Sequence, residues 1–137
     1  MSDRVTITID GGVADVRMNR PEKMNALDGD QFNAIVEAGE RLKLEKGVRA
    51  VVLSGEGRAF CAGLDFESFA AMAGGPAERP KVNAGDMKEG RIGHLGQQSA
   101  WVWQELPMPV IAAVHGHALG GGFQIAMGAE VVGGSTP

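Results

Sequence analysis

Two segments constrain this chain most: Arg58-Ala-Phe-Cys-Ala-Gly-Leu-Asp65 and Pro109-Val-Ile-Ala-Ala-Val-His-Gly-His-Ala-Leu-Gly-Gly-Gly122. Each reads as a buried strand running into a glycine-bearing turn, and the second turn opens a helix. Strands that alternate with helices in this way belong to α/β folds. Glycine makes up 21 of the 137 residues and gathers where strands end. That placement suggests turns that bring backbone close to something, not a loose linker.

The length allows one domain or part of a larger one. At 44% hydrophobic and 22% charged, the composition is that of a globular chain. No apolar run reaches the length of a membrane span, and Met1-Ser-Asp-Arg-Val lacks the pattern of a secretory signal. The expectation is a cytoplasmic protein with no membrane partner. The net charge is −4 and Lys and Arg form no run, so the basic face that a nucleic-acid partner needs is missing. The single cysteine, Cys61, excludes an intrachain disulfide. With no base beside it in sequence, it reads as a small buried hydrophobe.

Along the chain, Arg4 to Ile9 alternates as a strand, Asp10-Gly-Gly12 turns, and Val13 to Met18 continues as its partner. Asn19 to Asn25 is a loop opened by Arg20-Pro21. Asp28 fits an N-cap with Gln31 in the capping-box position. The helix that follows carries Phe32, Ile35, Val36, Gly39 and Leu42 at helical spacing and should end near Lys46-Gly47. Val48 to Leu53 and Val110 to Val114 read as strands, the first of a kind covered on both faces. A short helix is expected from about Asp65 to Met72, a mobile loop over 73–96 with His94 solvated in it, a helix over Gln98 to Glu105, and another over Gly121 to Glu130. The core should occupy residues 1–132, with 133–137 as a flexible tail.

Several chemistries lack their motif. There is no phosphate-binding P-loop, no dinucleotide fingerprint and no nucleophile elbow. His115 and His117 flank a glycine, but no further ligand lies near enough to complete a metal site, and none is expected. What remains is a source of backbone donors. A helix N-terminus leaves its first N–H groups unpaired and carries partial positive charge. Gly120-Gly-Gly122 puts three permissive positions there, and Ala62-Gly63-Leu64 can present a second N–H. Two such donors at one point stabilise an oxyanion. Taken alone, the glycine triplet is equally readable as a device for tight helix–strand packing.

Taken together, the segments carry more. Asn19-Arg-Pro-Glu-Lys-Met-Asn-Ala-Leu27, Gly57-Arg-Ala-Phe-Cys-Ala-Gly-Leu-Asp65 and Pro109 to Gly122 resemble, in order and spacing, three signatures of the crotonase family, the enoyl-CoA hydratase/isomerase superfamily. The resemblance runs from Val5 to about Ala129. It implies an α/β, crotonase-like spiral of repeated ββα units, here apparently the N-terminal half. It also implies an acyl-CoA thioester as substrate, coenzyme A as part of that substrate and no separate cofactor, and a homo-oligomer built from trimers. Carried over residue by residue, the oxyanion donors are the N–H groups of Leu64 and Gly121. Lys23, Met24, Ala26 and Leu27, with Ala62, Gly63, Asp65, Phe66 and Gly120, line the coenzyme path. Lys23, Arg20 or Arg58 could meet its phosphates, or could equally be solvated surface charge.

The chain departs from the family pattern at Gln124, where hydratases carry a catalytic glutamate. An amide can position a water or a carbonyl but cannot accept a proton as a carboxylate does. Glu130 is no substitute, because nine residues on from Gly121 it would lie about 13 Å along the helix axis and roughly opposite in direction. Asp65 is the local carboxylate, at a position that matches a binding turn. The leading expectation is therefore an enoyl-CoA hydratase or double-bond isomerase. The alternative is a fragment that binds acyl-CoA, or serves assembly, without chemistry.

Overall fold

The computed structural model describes residues 3–73 and 85–134. A five-stranded sheet runs in the order β1-β2-β3-β4-β5. β1 (Val5–Asp10) and β2 (Val13–Met18) form an antiparallel hairpin, and β3 (Ala50–Gly55), β4 (Val110–Val114) and β5 (Val131–Gly134) follow in parallel. The helices are α1 (Gly29–Leu44), α2 (Phe66–Ala73), α3 (Leu95–Trp101) and α4 (Gly121–Met127). A short 3-10 turn, Val102–Glu105, continues from α3.

α1 forms where the sequence places it. The Asp28 carboxylate accepts from the Gln31 N–H at 2.8 Å, relieving one of the unpaired donors of the first turn. The reciprocal half of the expected capping box is absent. The Gln31 side chain is buried and donates to the Arg4 carbonyl instead, joining the helix to β1. Phe32, Ile35, Val36 and Leu42 bury against Val16, Met18, Val51, Leu53 and Val110 of the sheet. Each such side chain, fully buried, contributes about 1.5–3 kcal/mol.

Burial along the strands alternates, which corrects the expectation of strands covered on both faces. Val51 and Leu53 are fully buried while Val52 between them is half-buried, and Ala113 of β4 is exposed. One sheet face receives the helices, and the other carries Arg17, Val52, Ile111 and Ala113.

Three further corrections concern element ends. α3 begins at Leu95, before the expected Gln98, because His94 caps it. Its Nδ1 accepts from the Gln97 N–H, and the Gln97 side chain returns to the His94 N–H. His94, expected only as a solvated loop residue, thus has a capping role at the end of that loop. Of the loop expected over 73–96, residues 74–84 lie outside the described residues, while 85–93 run as turns and bends without helix or strand. α4 ends at Met127, and Glu130 starts the turn into β5 with its N–H on the Val110 carbonyl. Gly133 and Gly134, read as tail, pair in parallel with Ala113 and Val114. Residues 135–137 lie outside the described residues.

A second, smaller ladder lies beside the sheet. The segment after β3 pairs in parallel with the segment after β2 through Leu64 and Leu27, and with the segment after β4 through Cys61 and Ala118. Each of β2, β3 and β4 is therefore followed by a short extended segment and then a helix. This is the repeated ββα plan expected from the sequence. No helix among the described residues is long and apolar enough to cross a membrane.

Candidate active site

The site grows out of the middle rung of the small ladder. The Leu27 N–H donates to the Gly63 carbonyl at 2.7 Å, and the Asp65 N–H donates to the Leu27 carbonyl at 2.9 Å. In such parallel pairing the intervening residue turns its own N–H and C=O the other way. The Leu64 N–H therefore faces away from Leu27, toward the segment after β4. That segment is tied in by Cys61 N–H to the His117 carbonyl and Leu119 N–H to the Cys61 carbonyl, both at 3.0 Å. Gly121, the first residue of α4, comes two residues later. Neither the Leu64 N–H nor the Gly121 N–H has a hydrogen-bond partner among the described residues.

Two glycines make this approach possible. Gly63 has φ +92°, and a Cβ on it would sit 2.8 Å from the Leu119 carbonyl oxygen. A Cβ on Gly122 would lie 2.5 Å from the Cys61 carbonyl oxygen. The packing role of the triplet thus falls on Gly122, while Gly120 (φ +53°) turns the chain into the helix.

The first loop is held by a side chain that the sequence reading quoted without giving it a role. Asn25 is fully buried with φ +57°, a region that asparagine tolerates better than most residues. Its Oδ1 accepts from the Arg20 N–H, and its Nδ2 donates to the carbonyls of Glu56, Ala59 and Phe60 at 2.9–3.2 Å. Its own carbonyl accepts from the Cys61 thiol at 3.1 Å. Each orphaned buried polar group costs roughly 1–3 kcal/mol, so Asn25→Ala should destabilise the fold by about 2–4 kcal/mol. Urea unfolding should show this as a lowered midpoint with unchanged slope.

Asp65 and Arg20 form a buried pair at 2.8 Å. Arg20 also bonds the Ala26 carbonyl and contacts Asp28, while the other Asp65 oxygen accepts from the N–H groups of Glu67 and Ser68 at the start of α2. Both side chains are thus committed to the scaffold. Burial pushes the Asp65 carboxyl up, but the Arg20 and backbone hydrogen bonds outweigh it and hold the group below its ordinary value of 3.8. A depressed acid stabilises the fold above its unfolded pKa and loses that contribution as pH falls through the folded pKa. Wild type should therefore be more stable than Asp65→Asn at neutral pH. The gap should narrow as acid titration proceeds below about pH 3.8, which thermal unfolding at stepped pH measures. Burial pushes the Cys61 thiol up to about 11, which makes it inert as a nucleophile near neutral pH.

The remaining predicted residues divide by exposure. Leu27, Gly63 and Asp65 are buried; Lys23, Leu64, Phe66, Gly120 and Gln124 are exposed; Met24, Ala26, Ala62 and Gly121 lie between. The Met24 carbonyl accepts from the Ala62 N–H, and the Lys23 side chain pairs with Glu67 at the surface. Arg58 is also exposed.

A cavity of about 710 Å³ opens between α3 and α4. Ile92, Trp101, Phe123 and Met127 supply its apolar wall, and Gln124 is the predicted site residue that lines it. The sequence reading missed this apolar wall. Trp101, Phe123 and Met127 fall on two short helices that are far apart in the chain, so no single periodicity reveals them. No cluster of three or more metal-ligating side chains occurs among the described residues.

The family model described as enoyl-CoA hydratase/isomerase matches residues 8–133. A "Probable enoyl-CoA hydratase" of Mycobacterium tuberculosis is 33% identical over 129 residues, covering 94% of this chain and 46% of that protein. The mouse mitochondrial Delta(3,5)-Delta(2,4)-dienoyl-CoA isomerase is 31% identical over 119 residues, 87% of this chain and 36% of its own length. The crystal structure of an enoyl-CoA hydratase from Mycobacterium smegmatis matches with a TM-score of 0.74 at 27% identity, over 97% of this chain and 48% of that one. The chain thus spans about half the length of the relatives it matches. With three signatures in order, the ββα repeats and a family match over nearly all its residues, the chain belongs to the enoyl-CoA hydratase/isomerase family.

Proposed function

We propose that this chain provides the oxyanion site of an acyl-CoA enzyme, a hydratase or double-bond isomerase acting through a thioester enolate. The N–H groups of Leu64 and Gly121 hold the thioester oxygen as negative charge develops on it. The acyl group enters the cavity between α3 and α4, where Trp101, Phe123 and Met127 offer it apolar surface. Gln124, one turn into α4, orients the reacting group from the cavity wall. The coenzyme, carried by the substrate, runs over the loops at Lys23–Leu27 and Ala62–Phe66. One observation carries this reading: Leu64 and Gly121 stand on adjoining segments of the site, and neither N–H has a hydrogen-bond partner among the described residues.

A second reading is favoured by Gln124 itself. With an amide where a proton acceptor is needed, and Asp65 tied up by Arg20, the chain would bind acyl-CoA without turning it over. Calorimetric titration with butanoyl-CoA, paired with a turnover assay on an unsaturated acyl-CoA, separates the two. Binding with turnover supports the enzyme. Binding without turnover supports the second reading. Failure to bind any thioester rejects both.

A further inference from the structure

The outer wall of the cavity is a loop, and the loop is fastened at a distance. Ile92 and Gly93 line the cavity opposite α4. The loop that carries them closes on itself through the Leu95 N–H to the Asp86 carbonyl at 2.8 Å. The adjacent residue, Arg91, reaches across to Glu40 on α1. Its Nε and Nη2 donate to the two carboxylate oxygens at 3.2 and 2.7 Å. The Arg91 side chain is 7% exposed and the Glu40 side chain 35%, so the contact is partly buried, with the arginine as its sheltered half. A two-pronged arginine–carboxylate contact fixes orientation as well as distance. Glu40 does not face the cavity, and neither residue of the pair lines it.

We infer that the Arg91–Glu40 clasp is a specificity-determining device: it pre-sets the Ile92 wall, so that the chain prefers thioesters whose acyl group is long enough to reach that wall. This rests on the acyl-CoA reading of the site. The physical reason is pre-organisation. When a wall is ordered before binding, the ligand does not bear the cost of ordering it. When only a fraction of molecules hold the wall in place, apparent affinity falls by that fraction. A short acyl group ends near Gln124, does not touch Ile92, and is indifferent to the clasp. Arg91 and Glu40 are positioning residues in this account, acting through Ile92.

The test compares decanoyl-CoA with acetyl-CoA by titration calorimetry on the full chain. Glu40→Gln should weaken decanoyl-CoA binding roughly five- to tenfold by lowering the competent fraction, and leave acetyl-CoA binding unchanged. Ile92→Ala, at an exposed position where folding is not at stake, should produce the same selective loss. The exchanged pair, Glu40→Arg with Arg91→Glu, should restore the preference. An equal loss for both thioesters, or an unchanged ratio in Glu40→Gln and Ile92→Ala, overturns the clasp while leaving the acyl-CoA reading intact. If the unaltered chain binds neither thioester, the acyl-CoA reading fails and the clasp fails with it.

Discussion

Gly121→Pro should turn over an unsaturated acyl-CoA about 10²–10³-fold more slowly than Gly121→Ala, the usual consequence of deleting one oxyanion donor. The comparison isolates a single hydrogen. Both variants add a Cβ, which would meet the same neighbour, Leu27 Cδ1, at 2.7 Å. That contact is the far end of a flexible side chain, which can move. Residue 121 is the first position of α4, where proline is well tolerated because its N–H has no partner inside the helix. The preceding Gly120 has no Cβ to oppose the ring. The variants thus differ chiefly in whether position 121 can donate. Leu64→Ala, which keeps its N–H, should resemble wild type. Steady-state kinetics on the three variants, with circular dichroism to verify folding, decides the matter. A folded Gly121→Pro as active as Gly121→Ala would remove Gly121 from the chemistry.

The second large effect is a gain. Gln124→Glu places a carboxylate on the wall of the α3–α4 cavity, where the present amide can neither accept nor deliver a proton. A positioned general acid or base is typically worth about 10²–10⁴-fold, so hydration of an enoyl-CoA should rise by at least the lower figure. The residue is exposed, and substitutions at such positions usually change stability by less than about 0.5 kcal/mol. The rate should therefore acquire a pH-dependent limb, set by ionisation of the new carboxyl, that is absent from the parent. A Gln124→Glu protein with unchanged rate and a flat profile would show that position 124 does not address the reacting carbon.

Where a feature was legible in the sequence, its cause was local. The β1–β2 hairpin follows from alternation around Asp10-Gly-Gly12, and α1 from Asp28 and a stripe of apolar residues. The two glycine-bearing bends were readable because only glycine takes the conformations at Gly63 and Gly120 without strain. What escaped depends on distant partners. β5 is a strand because β4 supplies its hydrogen bonds, while Val-Val-Gly-Gly by itself reads as a turn. α3 starts early because His94, a residue seldom considered as a cap, accepts from Gln97. Asn25 sits in a quoted motif, but the three carbonyls it binds lie 31 to 35 residues away. Arg91 and Glu40 stand 51 residues apart, and nothing near either one announces the other.

The small ladder beside the sheet is tied by peptide groups, and its rungs do not depend on the exposed side chain at Leu64. That side chain can drift while the amide positions stay put. A scaffold of this sort separates the part of catalysis that must not move from the part that selects what is transformed. New reactivities can then be explored by exchanging what surrounds the amides, with no need to rebuild their geometry each time.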